Sequence, residues 1–544
     1  MKVLIIGGVA GGMSAATRLR RLREDAEIVV FEMGEHVSYA NCGLPYFVSN
    51  VISEREELLL QTPESLWNRF RIDVRLNSKV IGIDRLNKKV KVQNQLTGEQ
   101  LTESYDQLVI STGATPRHLN IPGISRAMTL RNVVDADRVK AAVQSGAKTA
   151  VIIGGGFIGV ELAENLRHLG ITVTLVHRGN QLLGMFDPEV VEPMHQTLES
   201  NGVRLVLGAE PVEITNDAVR LNTGETIPAG LVFSAAGVVP DNQLAREAGL
   251  EIGVTGGLVV NEQQRTSDSN IYAAGDAVEK HGELVGENAL VPLANLANRH
   301  GRLVADAIAG LPVSSHSTQG TAIIGAFGFV AALTGLTESA ARARGVEHSV
   351  IHLHPSSHAG YYPGAQRVSL KVLFDPTTGV LLGAQATGKD GADKRIDVLA
   401  TAIYAGLTVN DLMDLELAYA PQFGSAKDAV NQAGYVGNNV WAGKTPTIQW
   451  GELAAAVAAG AQLIDVRTAK EHAAGAIPGS INIDVNELRT RLDQIQNANV
   501  IVHCAVGQRG HTATQILRGH GKEVRNLDGG YVTWLAGTES QARG

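Results

Sequence analysis

The chain has 544 residues, 44% of them apolar and 19% charged, with a formal net charge of −8 at pH 7. This balance suits roughly three to five compact globular domains and provides no basic footprint for nucleic acid. Only two cysteines occur, Cys42 and Cys504, which excludes a disulfide scaffold and fits a reducing cytosol.

In chain order, Lys2–Ile6 reads as a continuous apolar strand of the kind buried on both faces of a parallel sheet. It runs into Gly7-Gly8-Val9-Ala10-Gly11-Gly12 and then a helix with Ala15, Leu19 and Leu22 at helical spacing. Lys2 and the apolar run to Ala16 resemble a secretory signal, but strand, glycine loop and arginine-rich helix explain the run better. Ala26–Phe31 is the next strand and Glu32 ends it, placed to accept hydrogen bonds from a ribose. The plan recurs as strand Lys148–Ile153, loop Gly154–Gly159, helix Val160–Leu169 and strand Ile171–Val176. Gly154, Gly156 and Gly159 complete the dinucleotide fingerprint; the first loop keeps Gly7 and Gly12 but has Val9 at the middle position. Two such folds predict two bound dinucleotides. His177 and Arg178 stand where the second unit lacks an acidic residue, and an arginine there can pair with a 2′-phosphate, so NADPH stands beside NADH.

Further on, Ile271-Tyr272-Ala273-Ala274-Gly275-Asp276 is a strand ending on a carboxylate turn. The apolar run Thr321–Leu336 is broken by Gly325 and Gly328 and is too short to span a bilayer comfortably. Val368–Phe374, Leu381–Ala386 and Lys394–Tyr404 continue a mixed strand and helix pattern. Ala433–Lys444, rich in glycine and asparagine, reads as a linker. A separate small α/β unit follows, with strands Gln462–Val466 and Val500–His503 and helix Thr512–Arg518.

These motifs resemble the FAD- and NAD(P)H-dependent pyridine nucleotide–disulfide oxidoreductases over about Met1 to Gly437. Ser111-Thr112-Gly113-Ala114-Thr115-Pro116 is similar to the segment joining their two nucleotide domains, and Ala274-Gly275-Asp276 to their second FAD motif. The single cysteine of Asn41-Cys42-Gly43-Leu44-Pro45-Tyr46 resembles the CoA-disulfide reductase branch; dithiol members carry a second cysteine where this chain has Phe47. Tyr361-Tyr362-Pro363-Gly364 and Ala418-Tyr419-Ala420-Pro421 are similar to that branch's active-site tyrosine segments, with Phe423 where a second tyrosine is common. Ile464-Asp465-Val466-Arg467, Glu471, Gly475–Asn482 and Cys504-x-x-Gly507-x-Arg509 resemble a rhodanese domain, with Ala505 in place of its usual arginine.

The resemblance implies an α/β chain of two interleaved Rossmann-like nucleotide-binding domains, an α+β dimerisation domain and a C-terminal α/β rhodanese domain. The expected boundaries are 1–112 with 243–317 for FAD, 113–242 for NAD(P)H, 318–436 for dimerisation, 437–446 for a linker and 447–544 for rhodanese. It implies FAD, NAD(P)H and coenzyme A as cofactors or substrate, with Gly7, Gly12, Glu32, Thr112, Gly113, Asp276, Gly154, Gly156, Gly159, His177 and Arg178 on the nucleotides. Arg18, Arg21, Ser38, Asn41 and Gln61 are candidates for CoA. Cys42, Cys504, Tyr361 or Tyr362, Tyr419 and Arg509 are the catalytic candidates, each cysteine needing a lowered pKa to react as thiolate. A cytoplasmic homodimer without bound metal, nucleic acid or membrane is expected. The implied group is the fused CoA-disulfide reductase–rhodanese proteins, including NADH-dependent persulfide reductases. Thiol-pool reduction, NAD(P)H oxidase or peroxidase activity through a Cys42 sulfenic acid, and persulfide delivery to partner proteins stand as alternatives.

Overall fold

Lys2–Ile6 (β1), followed by helix Ala10–Leu22 (α1) and strand Glu27–Phe31 (β2), opens the chain. In this computed structural model, which describes residues 1–282, 284, 286–315 and 317–543, β1 is the centre of a parallel sheet. The short helix Leu44–Val48 (α2) precedes the remaining sheet strands, Ile72–Arg75 (β3), Gln107–Ile110 (β4) and, much later, Ile271–Ala273. Their order is Ile271–Ala273, β4, β1, β2, β3. Alternate side chains of β1 enter different cores: Val3 and Ile5 pack with Ala15, Ala16 and Leu19 of α1, whereas Leu4 and Ile6 pack with Val80, Val90 and Val92. Both faces of the strand are therefore covered, which is why it carries no polar alternation.

A second parallel sheet repeats the plan. Thr149–Ile153 (β5) leads to helix Phe157–His168 (α3) and strand Thr172–His177 (β6), and Leu231–Ser234 (β7) flanks β5 on its other side. The strand Ile271–Ala273 is β8, and Ala294–Ile308 is the helix α4 that packs on α1. These elements lie in a unit of Met1–Val176 and Glu210–Thr318.

The other unit comprises His177–Ala209 and Gln319–Gly544. Strands Ala322–Ala326 (β9), Phe329–Gly335 (β10), Ser349–Leu353 (β11), Val368–Phe374 (β12) and Leu381–Gly388 (β13) form an antiparallel sheet in the order β9-β10-β13-β12-β11. The apolar run Thr321–Leu336 thus becomes a hairpin turning at Phe327 and Gly328. Ala392–Tyr404 (α5) lies against this sheet. Arg395 of α5 is buried and donates to Asp428 at 2.7 Å and to the Ser357 carbonyl at 2.7 Å.

The segment expected to be a linker is instead mostly the helix Ala429–Trp441 (α6). Asp428 caps its first turn through the Val430 N–H, and its glycines do structural work: a Cβ at Gly434 would lie 2.7 Å from the Met413 nitrogen and one at Gly437 2.9 Å from Val409. Small residues here serve close packing rather than flexibility.

The C-terminal sheet is parallel, with Thr447–Ile448 (β14), Gln462–Asp465 (β15), Ile481–Asn482 (β16), Asn499–His503 (β17) and Glu523–Leu527 (β18) in the order β14-β18-β17-β15-β16. Gln508–Gly519 (α7) and Gly530–Ala542 (α8) accompany it. Val500, Val502 and Cys504 face Ala513, Ile516 and Leu517 of α7, while Ile501 faces Ile448 and Leu527. No helix among the described residues is long and apolar enough to cross a membrane.

Candidate functional site

Both glycine loops have one geometry. Gly7 has φ +102° and Gly154 φ +119°, conformations that favour glycine. A Cβ at Gly12 would lie 2.0 Å from the Gly7 oxygen, and one at Gly159 2.0 Å from the Gly154 oxygen. At the middle position φ is negative in both, −85° at Gly156 and −115° at Val9, so valine is tolerated there. No side chain caps either following helix and neither has an acid in its first turn. Each helix start therefore offers backbone N–H groups and a positive dipole end to a diphosphate. A Cβ at Gly156 would meet open space, so a ligand can approach this backbone closely. These features fit the dinucleotides.

Glu32 follows β2, where its carboxylate accepts from the Gly8 and Gly34 N–H groups, each at 2.8 Å. Thr112 Oγ1 donates to the Asp241 carbonyl at 2.7 Å, and Gly113 has φ +74°, so this pair shapes the crossover into the second nucleotide fold. Asp276 lies on a tight turn after β8; burial pushes its carboxyl up, against Lys280 and Arg131. Lys280 is buried, donates to the Gly275 carbonyl at 2.5 Å and is pushed down to about 8 by desolvation. His177 ends β6; burial, then Arg178, pushes its imidazole down. Arg178 follows, exposed.

Cys42 occupies a turn of 3-10 helix, Asn41–Gly43, just before α2. The turn is tied to Leu58–Leu60: Ala40 N–H donates to the Leu58 carbonyl at 2.8 Å and Leu60 N–H to the Ser38 carbonyl at 3.0 Å. Ser38, Asn41, Cys42 and Gln61 are thus gathered by main-chain pairing. Arg18 is engaged with Asp306 at 2.7 Å, and Arg21 lies 5.2 Å from the Phe70 ring centroid. Cys42 is exposed, yet partial desolvation of its sulfur, followed by the Glu161 and Asp276 carboxylates, pushes its thiol up. This corrects the expected lowering: two acids face the thiol and no cation does so among the groups acting on it. Glu161, missed in the sequence, lies on α3 two residues after Gly159; burial and Glu164 push it up to about 7. An acid next to a glycine loop was its only signal.

Among the tyrosines, the hydroxyls of Tyr361 and Tyr419 lie 2.8 Å apart, both residues exposed at 77% and 48%. Tyr362 is set apart, edge-on to His358 at 5.7 Å between centroids. The geometry pairs Tyr361, not Tyr362, with Tyr419.

Cys504 is fully buried after β17. The Gly507 N–H donates to its Sγ at 3.2 Å, and Gly507 is the N-cap of α7, with φ +93°. Arg509 forms a two-armed pair with Glu471 at 2.8 and 2.6 Å. Hydrogen bonding to Glu471 first, then the Cys504 sulfur, raises its guanidinium further; the same pair holds Glu471 down to about 2. A fixed cation and a backbone donor converging on one sulfur are suited to an anionic persulfide.

The sequence profile of the pyridine nucleotide-disulphide oxidoreductases matches residues 1–301, that of their dimerisation domain residues 324–430, and that of the rhodanese-like domain residues 449–537. A coenzyme A disulfide reductase of Staphylococcus haemolyticus is 34% identical over 436 residues, covering 80% of this chain and 98% of the relative. The structure of reduced Bacillus anthracis CoADR-RHD is similar with TM-score 0.97 and 44% identity, over 98% of both chains. That of an NAD-dependent persulfide reductase from A. fulgidus follows with TM-score 0.92 and 35% identity, over 98% of this chain and 100% of that one. The α/β architecture and the FAD- and NAD(P)H-dependent oxidoreductase character are those of these relatives. The chain belongs to the pyridine nucleotide–disulphide oxidoreductase family and carries a C-terminal rhodanese domain.

Proposed function

We propose that this chain reduces CoA persulfide or polysulfide, and CoA disulfide, with electrons from NAD(P)H, through Cys42, and that Cys504 binds or supplies sulfane sulfur. The observation that carries this reading is the pair of free cysteines: one exposed on a turn of the nucleotide-binding unit, the other buried with a backbone donor on its sulfur. The similarity to a named persulfide reductase along almost the whole chain supports it.

In the proposed cycle, Cys42 thiolate attacks the CoA-bound sulfur of CoA–S–SH. The S–S bond breaks, hydrosulfide leaves and a Cys42–S–S–CoA bond forms. When bound, FAD supplies the two electrons that break this bond, taken as hydride from NAD(P)H. Cys42 and CoA then depart as thiolates. Glu161, with a carboxyl near 7, holds or yields a proton beside Cys42, and removing its charge eases thiolate formation. The dimerisation domain supports a homodimer, in which the Tyr361–Tyr419 hydroxyl pair donates a proton to the leaving sulfur. In this reading Ser38, Asn41 and Gln61, on the segments paired beside Cys42, contact the pantetheine end of CoA. Arg18 and Arg21 take its phosphates, Arg18 exchanging Asp306 for phosphate.

The test is anaerobic NADH oxidation by purified protein, with CoA persulfide against CoA disulfide and released sulfide quantified. A preference for persulfide with one sulfide per NADH is expected. Preference for the disulfide without sulfide would favour thiol-pool reduction, the reading suggested by the staphylococcal relatives, whose match leaves a fifth of this chain outside it.

A further inference from the structure

His352 of β11 and His354, one residue past the strand's end, both reach the segment that follows β18. His352 meets Asp528, in the loop that follows β18, and His354 meets Thr533, in the first turns of α8. His352 Nδ1 lies 2.7 Å from Asp528 Oδ2, and the His352 N–H donates to Asp528 Oδ1 at 3.1 Å. His354 Nε2 lies 2.8 Å from Thr533 Oγ1. On its other edge, His352 Nε2 lies 3.1 Å from Glu189 Oε1, on the helix Pro188–Ser200. With an acceptor carboxylate at each nitrogen, the imidazole satisfies both by carrying two protons. Gln449 donates to Asp528 Oδ2 at 3.2 Å. Behind Glu189, Lys371 of β12 is buried among Asp187, Glu189 and Glu338.

The loop and the first turn of α8 held in this way also wall the sulfur site. Tyr531 N–H donates to the Cys504 carbonyl at 2.8 Å and Val532 N–H to the Ala505 carbonyl at 3.0 Å. There is no slack between the two: a Cβ at Gly529 would lie 2.7 Å from His352 Cβ, and one at Gly530 2.5 Å from the Cys504 oxygen. One tightly packed segment, 528–532, running from the loop into the first turn of α8, therefore joins a buried imidazolium of the dimerisation-type sheet to the main chain of the reactive cysteine.

We propose that His352 is a positioning residue for the Cys504 site: its imidazolium fixes Asp528, and through Asp528–Val532 the backbone of Cys504 and Ala505, so that loss of its proton loosens the sulfur cradle. This rests on the reading of Cys504 as the sulfane-sulfur site. Burial opposes the charge, but Asp528 and then Glu189 outweigh it and push the imidazole up to about 9. Lys371 acts against protonation from β12, and His354, which burial pushes down to about 3, stays neutral beside it. Glu189, Glu338, Lys371 and Gln449 line a crevice of about 410 Å³, which gives solvent a path to the cluster.

The experiment compares full-length, FAD-loaded wild type with His352→Gln, which keeps a polar side chain but no titratable charge. Hydrogen–deuterium exchange at neutral pH should show the Tyr531 and Val532 amides exchanging about tenfold faster in the variant. Transfer of sulfur from thiosulfate to cyanide should fall about tenfold and lose its alkaline decline near pH 9, while NADH-dependent reduction of CoA disulfide stays within about twofold. Unchanged protection together with an unchanged pH profile would overturn the proposal. If His352→Gln does not fold, Asp528→Asn is read by the same two measurements. Exchange needs no substrate, so it decides the role of His352 even if wild type transfers no sulfur, an outcome that would defeat the Cys504 reading instead.

Discussion

Cys42 and Cys504 show how differently one residue type is set by its surroundings. Cys42 is exposed and faces acids; Cys504 is buried with a donor N–H and a guanidinium. Cys42→Ser should abolish NADH-dependent reduction of CoA disulfide, by at least about a thousandfold, while leaving thiosulfate–cyanide transfer. Cys504→Ser should do the reverse, and loss of both activities in either variant would contradict two separate sites. Burial and Glu161 raise the Cys42 thiol, so its alkylation rate should climb with pH through and above the ordinary thiol range. Glu161→Gln removes a charge that grows in as pH passes about 7. The alkylation midpoint should then move to lower pH by up to about one unit, measured with iodoacetamide under saturating reductant. Glu471 was legible as a signature residue, but its role was not. Pairing with Arg509 across 38 positions is a product of folding. Glu471→Gln leaves Arg509 free to wander and should slow sulfur transfer about tenfold without touching CoA-disulfide reduction.

At the scale of elements, strands and glycine loops were the most legible features. β1 begins and ends where its strand was expected, and β12 spans Val368–Phe374 as expected. For β1 the reason is that it is covered on both faces, leaving a hydrophobic run with sharp edges. Helix starts were placed late: α3 begins at Phe157 and α7 at Gln508, because glycine caps do not announce a first turn. α6 was missed because its glycines serve contact rather than freedom. The two loops make opposite predictions for one substitution. Gly159→Val drives a Cβ onto the Gly154 oxygen at 2.0 Å; it should raise the NADH KM by at least about tenfold while flavin content, read from absorbance, stays at wild-type level. Gly12→Val places the same clash at the first loop and should yield protein that purifies without flavin. Equal loss of both cofactors in both variants would argue against separate dinucleotide sites.

For the molecule as a whole, an extended buried charge cluster joins Asp187, Glu189, Glu338, Lys371, His352 and Asp528. Its ions sit in low dielectric, so each is stable only while its partners keep their charge. His352 is raised from 6.5 to about 9; its contribution is complete below its ordinary value and is lost as pH rises through about 9. Glu189 and Asp187 are depressed, chiefly by Lys371 against the cost of burial. Their contribution is present above the ordinary carboxylate range and is lost as pH falls through their folded values. Thermal unfolding should therefore show a plateau from about pH 5 to 6.5, with Tm falling on both sides by roughly 2–4 °C per kcal/mol lost. In His352→Gln the alkaline fall should flatten while the acid limb remains.

By itself the sequence determined the classes of structure and chemistry: two dinucleotide folds, an α+β dimerisation domain, a rhodanese unit and two lone cysteines in recognisable loops. Those signals are local, written in runs and spacings a few residues long, because strand burial and glycine turns are settled by neighbours in the chain. Only the tertiary structure decided which tyrosine meets Tyr419, that Cys42 faces acids, that Arg509 is held by Glu471, and that His352 reaches Asp528 across 176 positions. These pairings depend on where separate elements come to rest, and charge, burial and proton affinity are properties of that arrangement rather than of any segment.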